Sequence, residues 1–317
     1  MAGLVVIGSF NVDHVWSLPR LPRPGETLAG HYHTGPGGKG FNQATAGARA
    51  GASTVFICSL GADAGGQLAR ALAAADGIDL RDAASDEPTG TAGIHVDAEG
   101  RNSIVIGPGA NAGLSVAHVH AHSDAIAHAA VVLAQLETPA DAVLAGFDLA
   151  REAGATTVLN PAPADADVPP ELLALTDVLT PNESEFCAQL ARQCGETLDP
   201  DAVAALDGAT LHALCRRLLP GGTVVVTLGG QGCFVSHPAD ARRGDAEAAF
   251  RVPAAPARVV DTTGAGDAFS GALAAAMATD PDAAFGRHVR FAGRYAALAC
   301  ERAGAASAMP RRDEFDR

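Results

Sequence analysis

Aromatic side chains are scarce in this sequence: 11 Phe, 2 Tyr and one Trp in 317 residues. A chain so poor in flat rings offers no stacking platform for single-stranded nucleic acid, and its core has to be built from Ala, Val, Leu and Ile. Positive charge is also short. Lys and Arg number 22 against 36 Asp and Glu, and the resulting net charge of −14 repels phosphate backbones and anionic lipid. No run of 18 or more apolar residues offers a membrane span. Met1 passes through Ala2 and Gly3 into Leu4–Ile7 without a basic n-region, a start that reads as a strand rather than a signal peptide. The cysteines (Cys58, Cys187, Cys194, Cys215, Cys233, Cys300) include no C-x-x-C pair, which argues against a zinc or dithiol site and for reduced thiols in a cytoplasm. What remains, with 48% hydrophobic and 18% charged residues, is a folded chain whose partners are small molecules.

Runs that are apolar at every position occur at Leu4–Ile7, Thr54–Cys58, Ala130–Leu133, Thr156–Leu159, Asp177–Leu179 and Thr223–Leu228. Such runs read as strands buried on both faces. Ala- and Leu-rich stretches of helical length alternate with them: Asn42–Ala50, Gln67–Ala75, Ala140–Ala153, Thr210–Leu219 and Asp267–Ala278. Strand alternating with helix predicts an α/β fold with a mostly parallel sheet covered on both sides. Two segments break the rhythm. Val12–Leu18 with Thr27–His33, and Gly90–Val96 with Asn102–Ile106, alternate polar and apolar residues and read as hairpins, the second turning at Asp97–Gly100. They suit either a small antiparallel sheet outside the core or ordinary surface hairpins. Residues 193–208 and 237–249, rich in Ala, Asp, Gly and Pro, read as surface insertions.

Gly35-Pro36-Gly37-Gly38-Lys39-Gly40 matches G-x-G-x-x-G, yet no carboxylate follows at the distance a dinucleotide site needs. A phosphate-binding P-loop would require Gly where His33 stands and Ser or Thr where Gly40 stands. The glycines still allow close backbone approach to a ligand, with Lys39 and Asn42 following at a helix start. More specific is Asp261-Thr262-Thr263-Gly264-Ala265-Gly266-Asp267, small residues leading to a carboxylate in the first turn of an Ala-rich helix. Gly264, Ala265 and Gly266 would present unpaired N–H groups as an anion hole. Asp267 beside it is either an N-terminal cap or a general base for a hydroxyl attacking phosphorus. Asn11 and Asp13 follow the first strand, and Glu137, Asn160 and Asn182-Glu183-Ser184-Glu185 follow later ones. Strand-end turns of this kind together place hydrogen-bonding groups on one edge of one sheet, as a hydroxyl-rich ligand requires. His118, His120 and His122 form H-x-H-x-H, which without a supporting carboxylate reads as a solvated helix face.

With these stretches in order, the chain resembles the ribokinase, or PfkB, family of carbohydrate kinases from Gly8 to Pro310. The resemblance rests on Gly37–Ala44 and Asp261–Asp267, supported by Pro24–Thr27, Gly109–Ala112, Gln135–Glu137, Asn160–Pro163 and Thr180–Glu183. It implies one domain over 1–317: a three-layer α/β sandwich with a small β-sheet lid, about 11–33 and 89–107, whose strands clasp a second copy to form a homodimer. It implies ATP-dependent phosphorylation of the O5 hydroxyl of D-ribose, with Asp267 as base and Gly264–Gly266 as anion hole. Asn11, Asp13, Gly38, Lys39, Asn42 and Glu137 match the family's sugar-binding positions. Asn182, Gly266 and the turn Thr227-Leu228-Gly229-Gly230-Gln231-Gly232 match its nucleotide-binding ones, and Glu185 matches the residue that reaches Mg²⁺ through water. A monovalent cation (K⁺) would be held by Asp261 and the carbonyls of Thr263, Ala299, Arg302 and Gly304. Three positions depart from the pattern. Ala308 replaces a serine hydroxyl near that cation, Gly293 replaces an Asn or His near adenine, and His95 replaces an apolar lid residue. Another pentose, deoxyribose or a nucleoside as acceptor is the alternative within the family, and a non-catalytic sugar sensor the alternative outside it.

Overall fold

The computed structural model describes residues 3–315. Its strands are β1 (Gly3–Ile7), β2 (Asn11–Ser17), β3 (His31–Gly37), β4 (Thr54–Gly61), β5 (Asp79–Ser85), β6 (Gly90–Val96), β7 (Asn102–Gly107), β8 (Ala129–Ala134), β9 (Thr156–Leu159), β10 (Val178–Leu179), β11 (Thr223–Thr227), β12 (Cys233–Ser236) and β13 (Ala249–Val252). Nine of them form one sheet in the order β13-β12-β11-β10-β9-β8-β1-β4-β5, parallel except for the antiparallel pairs β11–β12 and β12–β13. The other four form a separate sheet, β3-β2-β6-β7.

Each apolar strand feeds two cores. Leu4, Val6, Phe56, Cys58, Val131 and Leu133 lie on one face, and Val5, Ile7, Ile57, Val132 and Ala134 on the other. That is the period of two expected of a strand buried on both sides. The first face is covered by α1 (Lys39–Arg49), α2 (Ala64–Ala75) and, from later in the chain, the helices Ala265–Thr279 and Phe285–Ala299. The second is covered by the short α3 (Val116–Ala121) and α4 (Ser123–Ala127), then α5 (Ala140–Ala153), α6 (Pro170–Ala174), α7 (Glu183–Cys194), α8 (Pro200–Val203) and α9 (Gly208–Leu218). The two remaining helices are α10 (Ala265–Thr279) and α11 (Phe285–Ala299). The result is the α/β/α sandwich with a second, small sheet. No helix among the described residues is long and apolar enough to cross a membrane.

Several boundaries differ from the sequence pattern. Helices α1, α2 and α10 begin two or three residues earlier than their apolar periodicity, because their first turns are made of glycine, alanine and lysine, which carry no pattern. The first hairpin does not pair Thr27–His33: β3 runs His31–Gly37, with Ser17 opposite His31 and Asn11 opposite Gly37. Gly35-Pro36-Gly37, despite a composition typical of turns, is therefore strand. It lies on a sheet edge where proline is tolerated, and Gly37 leaves the space that the Asp13 carboxylate fills. The second hairpin runs as expected, turning between Val96 and Asn102. Strand β5 carries too mixed a composition to be seen in advance, and β12 and β13 are only four residues long. Residues 237–249 are not a mere surface insertion: His237 is fully buried, bonded through Nδ1 to Thr223 Oγ1 (2.9 Å) and through Nε2 to Asp245 (3.1 Å). In 193–208, Asp199 and Asp207 cap α8 and α9, and Val203 is core. His118 does not simply face solvent but bonds the Arg81 carbonyl (2.9 Å).

Candidate active site

The carboxyl ends of β1, β8, β9, β10 and β11 open on the same edge of the sheet, and the loops beyond them carry the polar residues singled out above. Small side chains bring the covering helices close enough to reach that edge. A Cβ at Gly271 of α10 would stand 2.7 Å from Ala46 Cβ of α1, and one at Gly40 would stand 2.6 Å from the Gly8 carbonyl carbon. The close approach of α1 to α10 lets two neighbouring α1 side chains grip one carboxylate. Asn42 Nδ2 donates to Asp267 Oδ2 (2.9 Å), and Gln43 Nε2 donates to Asp267 Oδ1 (2.9 Å).

Asp267 is the third residue of α10 and only 6% exposed. It caps nothing: the N-cap is Gly264, in the left-handed region at φ 73°, with no side-chain cap. Burial raises the Asp267 carboxyl above the usual range, against the pull of Lys39, Asn42 and Gln43. Of the N–H groups expected to be free, that of Ala265 is not, because it donates to Thr262 O (3.1 Å) and closes the turn. The N–H groups of Gly264 and Gly266 have no acceptor among the described residues, so two of the three expected donors are open to an anion.

Around the β1–β2 turn, Glu137 accepts from Ser9 Oγ (2.6 Å) and from the Lys39 backbone N–H (3.0 Å). Asn11 Oδ1 accepts from Asn111 Nδ2 (2.8 Å), whose own Oδ1 takes the Phe10 N–H (3.0 Å). Gly38 lies at φ 86°, and a Cβ there would meet Asn11 N at 2.7 Å, so glycine permits the β2–α1 crossing. Burial opposes the charge on Lys39, but Asp267, Glu137 and Glu185 hold its ammonium above the ordinary value. Asp13 has the reverse problem. Burial, then Glu137 and Asp267, push its carboxyl up to about 7.

That shift has a measurable sign. A folded pKa of about 7 means that the free protein holds Asp13 ionised only above that pH. An ionised Asp13 accepts hydroxyl protons that the neutral acid accepts less well, so kcat/KM for a polyol acceptor rises with pH through about 7. Asp13→Asn removes the part of this limb that centres at about 7, leaving only what the other buried carboxyl, Asp267, contributes. A pH profile of kcat/KM that is flat from 6 to 8 in the unaltered chain contradicts the assignment.

Farther along the same sheet edge, Asn182 and Glu185 form a capping box on α7: Glu185 N donates to Asn182 Oδ1 (2.8 Å), and Asn182 N to Glu185 Oε2 (2.9 Å). Glu185 is buried and its carboxyl raised chiefly by that burial. Its Oε1 has no hydrogen-bond partner among the described residues and is the atom available to a hydrated cation. Thr227 lies beside Asn182 through a parallel bridge, its N–H bonded to Pro181 O (2.9 Å). Leu228 N bonds Gly232 O (2.8 Å) around a turn with Gly229 at φ 51° and Gly232 at φ 89°, leaving Gly230 and Gln231 at its tip. Asp261 accepts from Thr263 N and Oγ1 (2.9 and 2.7 Å) and from Gly304 N (2.9 Å), tying the loop before α10 to the one after α11. Arg302 lies in this second loop and is joined through its N–H to the carbonyl of Ala299, the last residue of α11 (3.2 Å), and Ala308 is buried near it. Gly293 faces open space on α11, and His95 stacks on Trp16 (5.4 Å) in the small sheet.

Sequence reasoning left Ser9, Gln43, Asn111 and Gln135 without roles and named Asn160 only as one of several strand-end polar groups. Each sits within or beside a quoted stretch, but which way its side chain points depends on segments far along the chain. Among the described residues no three His, Cys, Asp or Glu side chains converge as a metal centre, His118, His120 and His122 included.

The pfkB family carbohydrate kinase model matches residues 1–312. The chain is 39% identical to the bifunctional ribokinase/ribose-5-phosphate isomerase A of Fructilactobacillus sanfranciscensis over 99% of its own length, spanning 55% of that longer protein. It is likewise 39% identical to the ribokinase of Haemophilus influenzae, covering 98% of this chain and 96% of that one. The structure of Arabidopsis thaliana ribokinase complexed with ribose and ATP superposes with a TM-score of 0.79 at 34% identity, covering 99% of this chain and 97% of that one. Match, geometry and fold agree: the chain belongs to the pfkB family of carbohydrate kinases.

Proposed function

We propose that the protein transfers the γ-phosphoryl group of ATP to the O5 hydroxyl of D-ribose. The observation that carries this is the buried Asp267 carboxylate, held on both oxygens by α1 and standing one residue from the unpaired Gly266 N–H. A base and an anion-stabilising donor side by side are what phosphoryl transfer to an alcohol needs. The O5–H proton passes to Asp267 as the new O5–P bond forms and the bond from phosphorus to the ADP oxygen breaks. Gly264 and Gly266 N–H groups take the charge on the phosphoryl oxygens. Asn11, Asp13, Asn42 and Glu137 bind the remaining hydroxyls, the unpartnered Asn42 Oδ1 being a ready acceptor, so that O5 and not O1 faces phosphorus. Asn182 and the Thr227–Gly232 turn hold the nucleotide. Mg²⁺, reached from Glu185 through water, supplies charge neutralisation on the phosphates when bound. The ³¹P spectrum of the product tests the regiochemistry. Coupling of phosphorus to the two H5 protons is expected, and coupling to the anomeric proton overturns the reading.

The four-stranded sheet serves as the lid. Tyr32, Ile104, Val105 and Ile106 lie exposed on it, Val105 by 67%, and a second copy of the chain covers them in a homodimer. All six cysteines are free, in keeping with a cytoplasmic enzyme. If K⁺ binds, Asp261 and the carbonyls of Thr263, Ala299, Arg302 and Gly304 would hold it, without the hydroxyl that Ala308 lacks. Ala308→Ser restores that oxygen and is expected to lower the K⁺ concentration for half-maximal activation severalfold. An unchanged K⁺ titration of the initial rate argues against a cation in this loop.

A further inference from the structure

The amide of Gln43 is fully buried and engaged at every polar atom. Its Nε2 donates to Asp267 Oδ1 (2.9 Å) and to Asn160 Oδ1 (3.1 Å), and its Oε1 accepts from Gln135 Nε2 (2.6 Å). The direction of these bonds is not arbitrary. Asn160 Nδ2 faces the Thr180 carbonyl (2.9 Å), which can only accept, so Asn160 must turn its Oδ1 to Gln43. With an amide oxygen and a carboxylate oxygen both before it, Gln43 must present its NH₂ group to them and its oxygen to Gln135. Gln135 Oε1 is left with no partner, so the outer end of the chain gives up a hydrogen bond while the Asp267 end keeps its own. Asn160 Nδ2 also lies 3.5 Å from Glu185 Oε2, so the same two amides span the distance from the sugar end of the cleft to the nucleotide end.

We propose that Gln43 is a positioning residue for phosphoryl transfer, a donor locked in one orientation by Gln135, Asn160 and the Thr180 carbonyl that fixes the direction and basicity of Asp267. The proposal rests on the reading of Asp267 as the base. Asn42 holds Oδ2 and Gln43 holds Oδ1, so the carboxylate cannot rotate, and its remaining lone pairs are directed at the acceptor hydroxyl. Both donors favour the ionised form, opposing the burial that disfavours it. The other charged groups that act on Asp267 are Lys39 from α1, Glu137 beyond β8, Asp13 from β2 and Glu185 from α7. Of these only Lys39 is cationic, and no second cation substitutes for the Gln43 donor.

The test is the pH dependence of kcat, measured at saturating D-ribose and MgATP for the unaltered chain and two variants. Gln43→Met removes the donor at similar volume. Its kcat is expected to fall at least about tenfold at pH 7 and its acid limb to move up by about one pH unit, with KM for sugar changed less than about threefold. Because Gln43→Met also strands Asn160 and Gln135 and can lose the fold, Gln43→Glu provides the second reading. Its new carboxyl, nearly the same shape, can donate to Asp267 only while protonated. The variant is therefore expected to turn over at low pH and lose activity as the pH rises, a descending limb that the unaltered chain lacks. Superimposable profiles for Gln43→Glu and the unaltered chain, or a folded Gln43→Met with an unmoved acid limb, overturn the proposal. Silence of the unaltered chain instead overturns the reading of Asp267 as base in a ribose kinase, a separate failure.

Discussion

Replacing Asp267 with asparagine lowers kcat by about 10³-fold, within the range that a positioned general base contributes. Asparagine keeps the volume but loses the base, and its amide cannot accept from both Asn42 Nδ2 and Gln43 Nε2, which now reach the two carboxylate oxygens. The substitution leaves alone the other groups proposed to hold the sugar: Glu137, fixed by Ser9 and the Lys39 N–H, and Asn11, fixed by Asn111. Calorimetric binding of D-ribose is accordingly expected to stay within about fivefold of the unaltered chain, the loss of one hydrogen bond, while kcat falls by the full factor of about 10³. Comparable loss of binding and turnover would make Asp267 a sugar ligand and not the base.

The second large effect is expected at Gly40. A Cβ there would lie 2.6 Å from the carbonyl carbon and 2.8 Å from the Cα of Gly8, with the Ser9 amide nitrogen closer still. All three are backbone atoms, so no side-chain rotation relieves the overlap, and α1 must separate from the β1–β2 turn. Overpacking of this kind costs about 3 kcal/mol, or about 6 °C in Tm for a chain of this size. The same displacement pulls Ser9 Oγ from the Gly40 N–H (3.3 Å) and unsettles its bond to Glu137, so KM for the sugar rises as well. Gly293→Ala is the matching control. Its Cβ meets nothing within 4 Å on α11, and alanine in a helix interior is favoured over glycine by about 1 kcal/mol. Calorimetric melting of the two variants separates them; equal melting temperatures would contradict the packing argument.

The layers of the fold were legible because burial on both faces writes itself into strands such as Val131–Leu133 and Val224–Val226 as unbroken apolar runs. The helix between residues 140 and 153 was readable to its ends because its apolar spacing runs to Gly154, which takes the left-handed cap. What could not be read has a common cause. Gly35-Pro36-Gly37 has the composition of a turn and becomes strand only because β2 lies beside it. His237 reads as part of a polar loop and is buried because Thr223 and Asp245 satisfy both of its nitrogens. Ala265 reads as a donor to an anion, but its N–H is taken by Thr262. At the site, types and spacing nominated Asp267, Asn42, Lys39 and Glu137, while Gln43, adjacent to Asn42, gains its role from Asn160 and Gln135, about 120 and 90 residues away along the chain. Local pattern names the residues; the direction of a hydrogen bond is a property of the fold.

The central claim is that this cleft phosphorylates a free pentose, and the most direct measurement is ADP release coupled to an indicator reaction at saturating MgATP. D-ribose, 2-deoxyribose, fructose and adenosine are compared, each with and without K⁺. Ribose is expected to give the highest kcat/KM, with Asp13, Asn11 and Glu137 all engaged by its hydroxyls, and the rate to fall to background in Asp267→Asn. Turnover with adenosine and none with ribose would keep the phosphoryl-transfer chemistry and contradict the sugar assignment.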